Sequence, residues 1–223
     1  MATDLTDWGP EINFHIAGVP EPALQIAVRN AAIKFCEKTH LWTQDLTEIG
    51  VEADTQAYAL SDPDDAKIIG IQSAKYKPDA ADDDQYVTLD PASEHQQDYF
   101  GHGNWKYTEA TAPSQYWVDN VDKQIHLVPI PDTDSAEGLL VKVILKPDAT
   151  CTELPDFIYE DWKDAITLGA LSDLYARKRT PWYDPNEALL KLKLFIAACN
   201  NAKTNKITGA TNRPMRVRMV RFA

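Results

Sequence analysis

Apolar residues recur at every third or fourth position in three stretches of the chain, and this spacing predicts three α-helices. The first covers about 20–39, where Pro22 suits the opening turn because a proline there removes no helical hydrogen bond. The other two cover 155–179 and 185–203. Gly169 lies inside the second helix, where glycine costs about 1 kcal/mol relative to alanine. We therefore expect another helix to approach closely at that position.

Between the first and second helices, the chain contains short runs rich in β-branched and aromatic residues, which predict strands. Clusters of Pro, Asp and Gly separate these runs. The runs are AKIIGIQSAKY, QYVTLD, SQYWVD, KQIHLVPI and GLLVKVILKP. Residues 79–103 are instead rich in Asp, Gln, His and Gly, and this composition predicts a long loop or a mobile hairpin.

These patterns predict an α+β fold in which a three-helix bundle carries a β-rich insertion between its first and second helices. The bundle comprises 20–41 and 151–206, and the inserted region is 42–150. An N-terminal segment, 1–19, precedes the bundle, and an extended C-terminal arm, 207–223, follows it. We expect the aromatic residues Trp42, Trp162 and Trp182 in the core, because large aromatic side chains dominate burial energetics.

The composition of the 223-residue chain is that of a soluble globular protein, with 44% hydrophobic and 25% charged residues. No apolar run reaches the roughly 18–20 residues of a membrane span, and the N-terminus does not resemble a secretory signal. The three cysteines, Cys36, Cys151 and Cys199, are odd in number and far apart. This spacing indicates buried free thiols in a reducing compartment, and it argues against disulfides or a zinc site.

Charge is distributed unevenly along the chain, whose formal net charge is −12. Residues 42–150 contain 21 acids and 7 bases, whereas residues 177–223 contain 11 bases and 2 acids. An acidic body with a basic end suggests an electrostatic contact with a partner or with another copy of the chain. The overall acidity makes general DNA binding a poor hypothesis, since that activity needs basic surface.

The last residues alternate basic and apolar side chains, as in a strand with one basic and one apolar face. Such an arm suits strand addition to a partner's sheet, and arginines suit bidentate contacts with carboxylates. An alternative is a final strand that folds back on the chain's own β-rich region. The residues predicted to bind a partner protein or a neighbouring copy are Arg213, Arg216, Val217, Arg218, Met219, Arg221 and Phe222.

Established catalytic and nucleotide-binding motifs are absent from the sequence, so we predict no catalytic residues, no metal and no cofactor. His126 alternates with Ile125 and Leu127, which predicts a surface histidine, and His40 is placed to cap the end of the first helix. One acidic and histidine-rich region could be imagined as metal-binding, but its spacing matches no established site. Its residues are Asp82, Asp83, Asp84, Glu94, His95, Asp98 and His102.

Several motifs follow one another in a distinctive order. Residues 27–46 contain an Ala-rich helix ending in Phe-Cys-x-x-Thr-x-x-Trp, and 58–76 contain a Tyr-x-Leu strand pair. Residues 126–188 add Pro-x-Pro and Lys-Pro strand ends, Leu-Pro before a helix, Gly-Ala-Leu within it and Pro-Trp-x-Asp-Pro after it. Over roughly residues 20–200, this order resembles the head-to-tail adaptor proteins of tailed phages, also called connector or neck proteins. Residues 79–115 match no part of the pattern.

The resemblance implies a virion structural protein without enzymatic activity, made in the host cytoplasm. Such adaptors form a ring, typically of twelve copies, below the portal. They connect the capsid to the tail, extend the channel for double-stranded DNA, and act in genome retention and ejection. The implied partners are the portal protein, tail or neck proteins and identical copies of the chain, with no membrane and no sequence-specific DNA binding.

The sequence also offers three alternative functions. A tail-completion or tail tubular protein would act in another layer of the tail. A small metal-dependent hydrolase would use the Asp- and His-rich region, and a DNA mimic would use a continuous acidic helical surface.

Overall fold

The structure, a computed structural model, describes residues 2–77, 86–92, 108–119 and 121–209. These residues divide into two compact units. The helical unit takes the described residues of Met1–Trp42, Asp65–Lys67 and Lys146–Ala223. The sheet unit takes those of Thr43–Asp64 and Ile68–Leu145.

Four α-helices lie in the described part of the helical unit, namely α1 (Gly9–His15), α2 (Glu21–Thr39), α3 (Asp156–Ala176) and α4 (Pro185–Thr208). A 3₁₀ turn, Leu5–Trp8, leads into α1. Two short antiparallel strands, β1 (Ala2–Asp4) and β12 (Glu153–Pro155), join the N-terminus to the segment before α3.

The N-terminal segment is part of the helical core. The Asp4 carboxylate accepts the Thr6 backbone N–H at 2.7 Å and caps the 3₁₀ turn. Trp8 is completely buried, and its ring meets that of Tyr159 on α3 edge-on, with centroids 4.8 Å apart. The buried residues Leu5 and Ile12 lie three and four positions from Trp8, on the same side of the segment.

Helix α3 approaches α2 and α4 most closely at Gly169. A Cβ atom placed on Gly169 would lie 2.8 Å from the Cβ of Ala31 and 3.0 Å from the ring of Phe195. Real Cβ contacts are longer than these distances, so only glycine fits without a shift of its neighbours. The close helix–helix approach predicted from Gly169 is confirmed.

The ends of α2 and α4 follow from local chemistry. The Asp184 carboxylate accepts the backbone N–H groups of Asn186 and Glu187 at 2.9 and 3.2 Å and caps the start of α4. Gly209 ends α4 in the left-handed conformation, with φ of 62°. His40 ends α2 in the same conformation, and its backbone N–H, rather than its side chain, bonds the carbonyl of Cys36.

Ten further strands lie in the described residues, mainly in the sheet unit. Their bounds are β2 Thr43–Asp45, β3 Ile49–Val51, β4 Ala57–Ala59, β5 Ala66–Tyr76, β6 Val87–Pro91, β7 Glu109–Ala110, β8 Gln115–Asp119, β9 Gln124–Val128, β10 Ile130–Pro131 and β11 Ser135–Pro147. Eight of these strands form one mixed sheet, in the order β2-β11-β5-β6-β8-β9-β4, with β3 also paired to β11. The β6–β8 pair is parallel, and a separate parallel pair joins β7 to β10.

The antiparallel pair β8–β9 shows how side-chain alternation shapes the sheet. Ile125 and Leu127 are completely buried on one face. His126 points to the other face, directly opposite Trp117, and the two rings stack with centroids 3.8 Å apart. Because Trp117 covers it, His126 is half-buried, and the prediction of a simple surface histidine is wrong.

The predicted fold class, a three-helix bundle with a β-rich insertion and an extended C-terminal arm, is wrong. The described residues form four helices and a large curled mixed sheet. The bundle prediction omitted α1, whose Ile12 joins the same core as α2 and α3. The arm was predicted to begin at residue 207, but Ile207 and Thr208 belong to α4, and 210–223 lie outside the described residues.

Three tryptophans predicted to lie in the core, Trp42, Trp162 and Trp182, are only partly buried. Each packs against the edge of the helical core instead of filling its centre.

Candidate assembly surface

All seven residues predicted to bind a partner lie outside the described residues. They are Arg213, Arg216, Val217, Arg218, Met219, Arg221 and Phe222. The helix that precedes them in the chain, α4, exposes apolar surface.

Helix α4 exposes aliphatic side chains beside lysines. Phe195, Cys199 and Ala202 face the core at helical spacing. Around the rest of the helix, five large aliphatic residues are exposed within eight positions, interrupted by Lys191 and Lys193. We call this the lysine–leucine face, formed by Leu189, Leu190, Lys191, Leu192, Lys193, Leu194 and Ile196.

A groove of about 370 Å³ opens beside this face, between α3 and α4. Ser172 and Ala176 of α3 line one side, and Leu189 and Leu192 of α4 line the other. Tyr183, in the connection between these helices, is 42% exposed and lines it as well. The groove is shallow, open and mainly aliphatic, so it suits an apolar side chain of another protein better than a reacting substrate.

The N-terminal part of the helical unit has the opposite charge. Residues 2–28 contain four acids and no lysine or arginine. Phe14 of α1 is 87% exposed, and Glu11, one turn before it, forms an ion pair with Lys163 of α3 at 2.8 Å. We call this the acidic N-terminal segment, with its acids Asp4, Asp7, Glu11 and Glu21.

The cysteines are placed to pack, not to react. All three are free and buried in the helical core, as predicted. Burial raises the pKa of the Cys36 thiol to about 12 and that of the Cys199 thiol to about 11. Burial also raises the pKa of Cys151. Thiols with raised pKa values contain little of the nucleophilic thiolate at neutral pH.

One carboxylate with a shifted pKa also has a structural explanation. Asp148 accepts the Lys67 ammonium and the Thr150 hydroxyl, each at 2.7 Å, together with the Ala149 backbone N–H. The hydrogen bond from Lys67, followed by those from Thr150 and Ala149, lowers the pKa of Asp148. The ionised carboxylate links Lys67 to the turn formed by residues 148–150, and it has no proton to donate near neutral pH.

Within the described residues, no group of three or more His, Cys, Asp or Glu side chains could hold a metal ion. The acidic and histidine-rich region of the sequence lies outside the described part of the chain, with its residues Asp82, Asp83, Asp84, Glu94, His95, Asp98 and His102. In that described part, none of the helices has the length and hydropathy needed to cross a membrane.

Sequence reasoning missed both the lysine–leucine face and Phe14. Apolar residues on every side of the first half of α4 were the available signal, because a helix that is apolar all round needs a second covering surface. Spacing alone does not tell which side meets the chain's own core.

Comparison of this chain with known proteins gives a match to one family and none to a curated protein. The profile of the SU10 adaptor protein family matches residues 2–218, which is nearly the whole chain. The resemblance to phage head-to-tail adaptors is therefore confirmed, and this protein belongs to the SU10 adaptor protein family.

Proposed function

We propose that this protein is a head-to-tail adaptor that forms a closed ring below the portal, in the neck of the virion. The observation that carries this proposal is the family match over residues 2–218. The ring connects the capsid to the tail and extends the channel through which the double-stranded genome passes. Its partners are the portal protein, the tail or neck proteins, and identical copies, twelve in the ring.

Surface chemistry supports an assembly role. Within the lysine–leucine face, Leu189, Leu192 and Ile196 lie on one side of α4 and together expose apolar surface of the kind that marks protein–protein contacts. The net charge of −12 suits a channel component, since like charge keeps DNA from adhering as it passes. No base-specific contact is needed for such passage.

Residues 210–223, the part of the predicted arm that follows α4 in the chain, contribute a second contact in this proposal. They contain four arginines and no acids, and from Arg216 basic and apolar side chains alternate. In this proposal they dock on the portal, or on an adjacent copy, by adding a strand to its sheet and by pairing arginines with carboxylates.

Infection by a virus that lacks the gene for this chain tests the function and the arm together. Without the chain, we expect heads that fail to retain DNA and fail to join tails, and full-length protein supplied by the host should restore infectious particles. Protein that ends at Gly209 should keep the melting temperature of the full chain but fail to restore infectivity.

Three outcomes contradict these proposals. Complete heads with only the distal tail missing would place the chain in another layer of the tail, as a tail-completion or tail tubular protein. Full infectivity with the truncated chain would contradict docking by the arm. A sharply lower melting temperature on truncation would assign the arm to the subunit's own fold.

A further inference from the structure

We propose that the lysine–leucine face of one copy binds the acidic N-terminal segment of the next copy, with Phe14 inserted in the groove between α3 and α4. This inference rests on the proposed ring and names the contact between its subunits. One copy would use two different surfaces, so the contact is heterologous, which is the kind that generates rings when the rotation between copies closes.

Exposed apolar side chains surround the groove. Leu189 and Leu192 line it yet remain 54% and 41% exposed, and Ile196, one turn after Leu192, extends the apolar surface on the same side of α4. Covering neighbouring apolar side chains of this size with another protein is favourable, because it removes apolar surface from water. A groove at the centre of such a surface is where an aromatic anchor of a partner contributes most.

Phe14 of the next copy is suited to be that anchor. Phe14 is the most exposed phenylalanine among the described residues, at 87%. Phe14 extends from α1, and burial of Trp8 and Ile12 fixes this helix on the core. The ion pair between Glu11 and Lys163 also holds it there. A large aromatic side chain held out on a fixed helix loses little conformational entropy on insertion, which favours tight binding. Its own exposure shows that it does not fill the groove of its own copy.

The charges of the two surfaces are complementary. The part of α4 beside the groove, residues 185–196, contains two lysines and one glutamate, whereas residues 2–28 contain four acids and no lysine or arginine. Opposite potentials on two surfaces of one chain steer copies into a head-to-tail arrangement and disfavour pairing of two identical surfaces. The C-terminal residues 210–223 are a poor alternative occupant, because their four arginines would meet the lysines of α4.

Cross-linking between engineered cysteines tests this contact. Asn13→Cys places a thiol beside Phe14 without removing it, and Ala176→Cys places one in the groove; both positions are exposed. The native cysteines are buried and leave a low background. In the matched control, the second cysteine is Ile207→Cys instead of Ala176→Cys. Ile207 is exposed on α4 and lies fifteen residues from Leu192, or about 22 Å along the helix.

The variants are supplied to the gene-deficient virus, and purified particles are treated with a short bismaleimide. N13C/A176C should give a ladder of covalent oligomers, whereas N13C/I207C and the single variants should give monomer. Adding Phe14→Ala to N13C/A176C should abolish the ladder while leaving the melting temperature unchanged.

The remaining outcomes separate the two proposals. If particles contain the chain but N13C/A176C gives no more product than its control, the contact is wrong and the adaptor function stands. Dimers from either single variant would show pairing of identical surfaces and also overturn the contact. If wild-type chain is absent from infectious particles, the adaptor function fails, and the ring contact fails with it.

Discussion

Replacing Trp8 with alanine should lower the free energy of unfolding by about 3–5 kcal/mol. The side chain is completely buried, and it packs edge-on against Tyr159 beside Leu5 and Ile12. Its removal would leave a large cavity between the N-terminal segment and α3, and the rigid helices around it could fill only part of that space.

Two aromatic controls make this prediction specific. Phe14→Ala removes an aromatic ring from the same segment, but the ring is 87% exposed, so stability should change by less than about 0.5 kcal/mol. Trp162→Ala should cost less than Trp8→Ala, because Trp162 is only partly buried, with its ring centroid 5.5 Å from that of Phe35. Urea unfolding of the three variants measures the order, and a larger cost at Trp162 than at Trp8 would contradict the packing described for the N-terminus.

Replacing Gly169 with valine should destabilise the helical unit by about 3 kcal/mol or more. The Cβ alone would come within 2.8 Å of the Ala31 Cβ, an atom fixed to the backbone of α2. The two γ-methyl groups add further overlap at a position already against the Phe195 ring, so α2 and α4 would have to move away from α3.

A second glycine provides the control for Gly169. A Cβ placed on Gly70, within β5, would lie 3.9 Å from the Cδ1 of Ile144, which is an ordinary contact distance. Gly70→Ala should therefore leave stability unchanged or raise it by up to about 1 kcal/mol, since alanine has less conformational freedom than glycine in the unfolded chain. Gly169→Ala should lower stability although alanine also favours helix. Equal effects of the two alanine substitutions in thermal melts would show that no close approach exists at Gly169.

Helices α2 and α3 could be predicted from sequence because each buries one continuous stripe of apolar residues. The strongest strands could be predicted too, since β5 and β11 are long and rich in β-branched residues. The three-residue strands β2, β3 and β4 are too short to show any alternation. The order of strands in the sheet depends on pairs far apart in sequence, such as Thr43 with Ile144, for which single-chain periodicity has no signal.

The N-terminal segment shows a different reason for failure. Leu5, Trp8 and Ile12 have helical spacing, but the Gly9-Pro10 pair between them resembles a break in regular structure. In the fold, Pro10 occupies the first turn of α1, where proline is favoured. The seven-residue helix is held by burial of Trp8 and Ile12 and not by its own propensity.

The assembly surface could be predicted only in part. Clustered leucines in α4 indicate a helix that is covered on more than one side, but the sequence does not separate the side against Phe195 from the side that is exposed. Phe14 cannot be recognised as exposed from spacing, because one phenylalanine on a short helix fits a core position equally well. The accessible side of each helix follows from tertiary packing.

The most direct test of the adaptor function is the mass and symmetry of the complex that this chain forms with the portal protein of the same virus. Alone in low salt, the chain should be largely monomeric by native mass spectrometry, because each copy carries a net charge of −12 that opposes self-association. With the portal, we predict one closed ring of twelve copies on the side that faces the tail, visible as added mass and rotational symmetry by electron cryo-microscopy. A ring formed without the portal would refute only the need for a template. A portal that binds no copies of this chain, at protein concentrations where both are folded, would contradict the account.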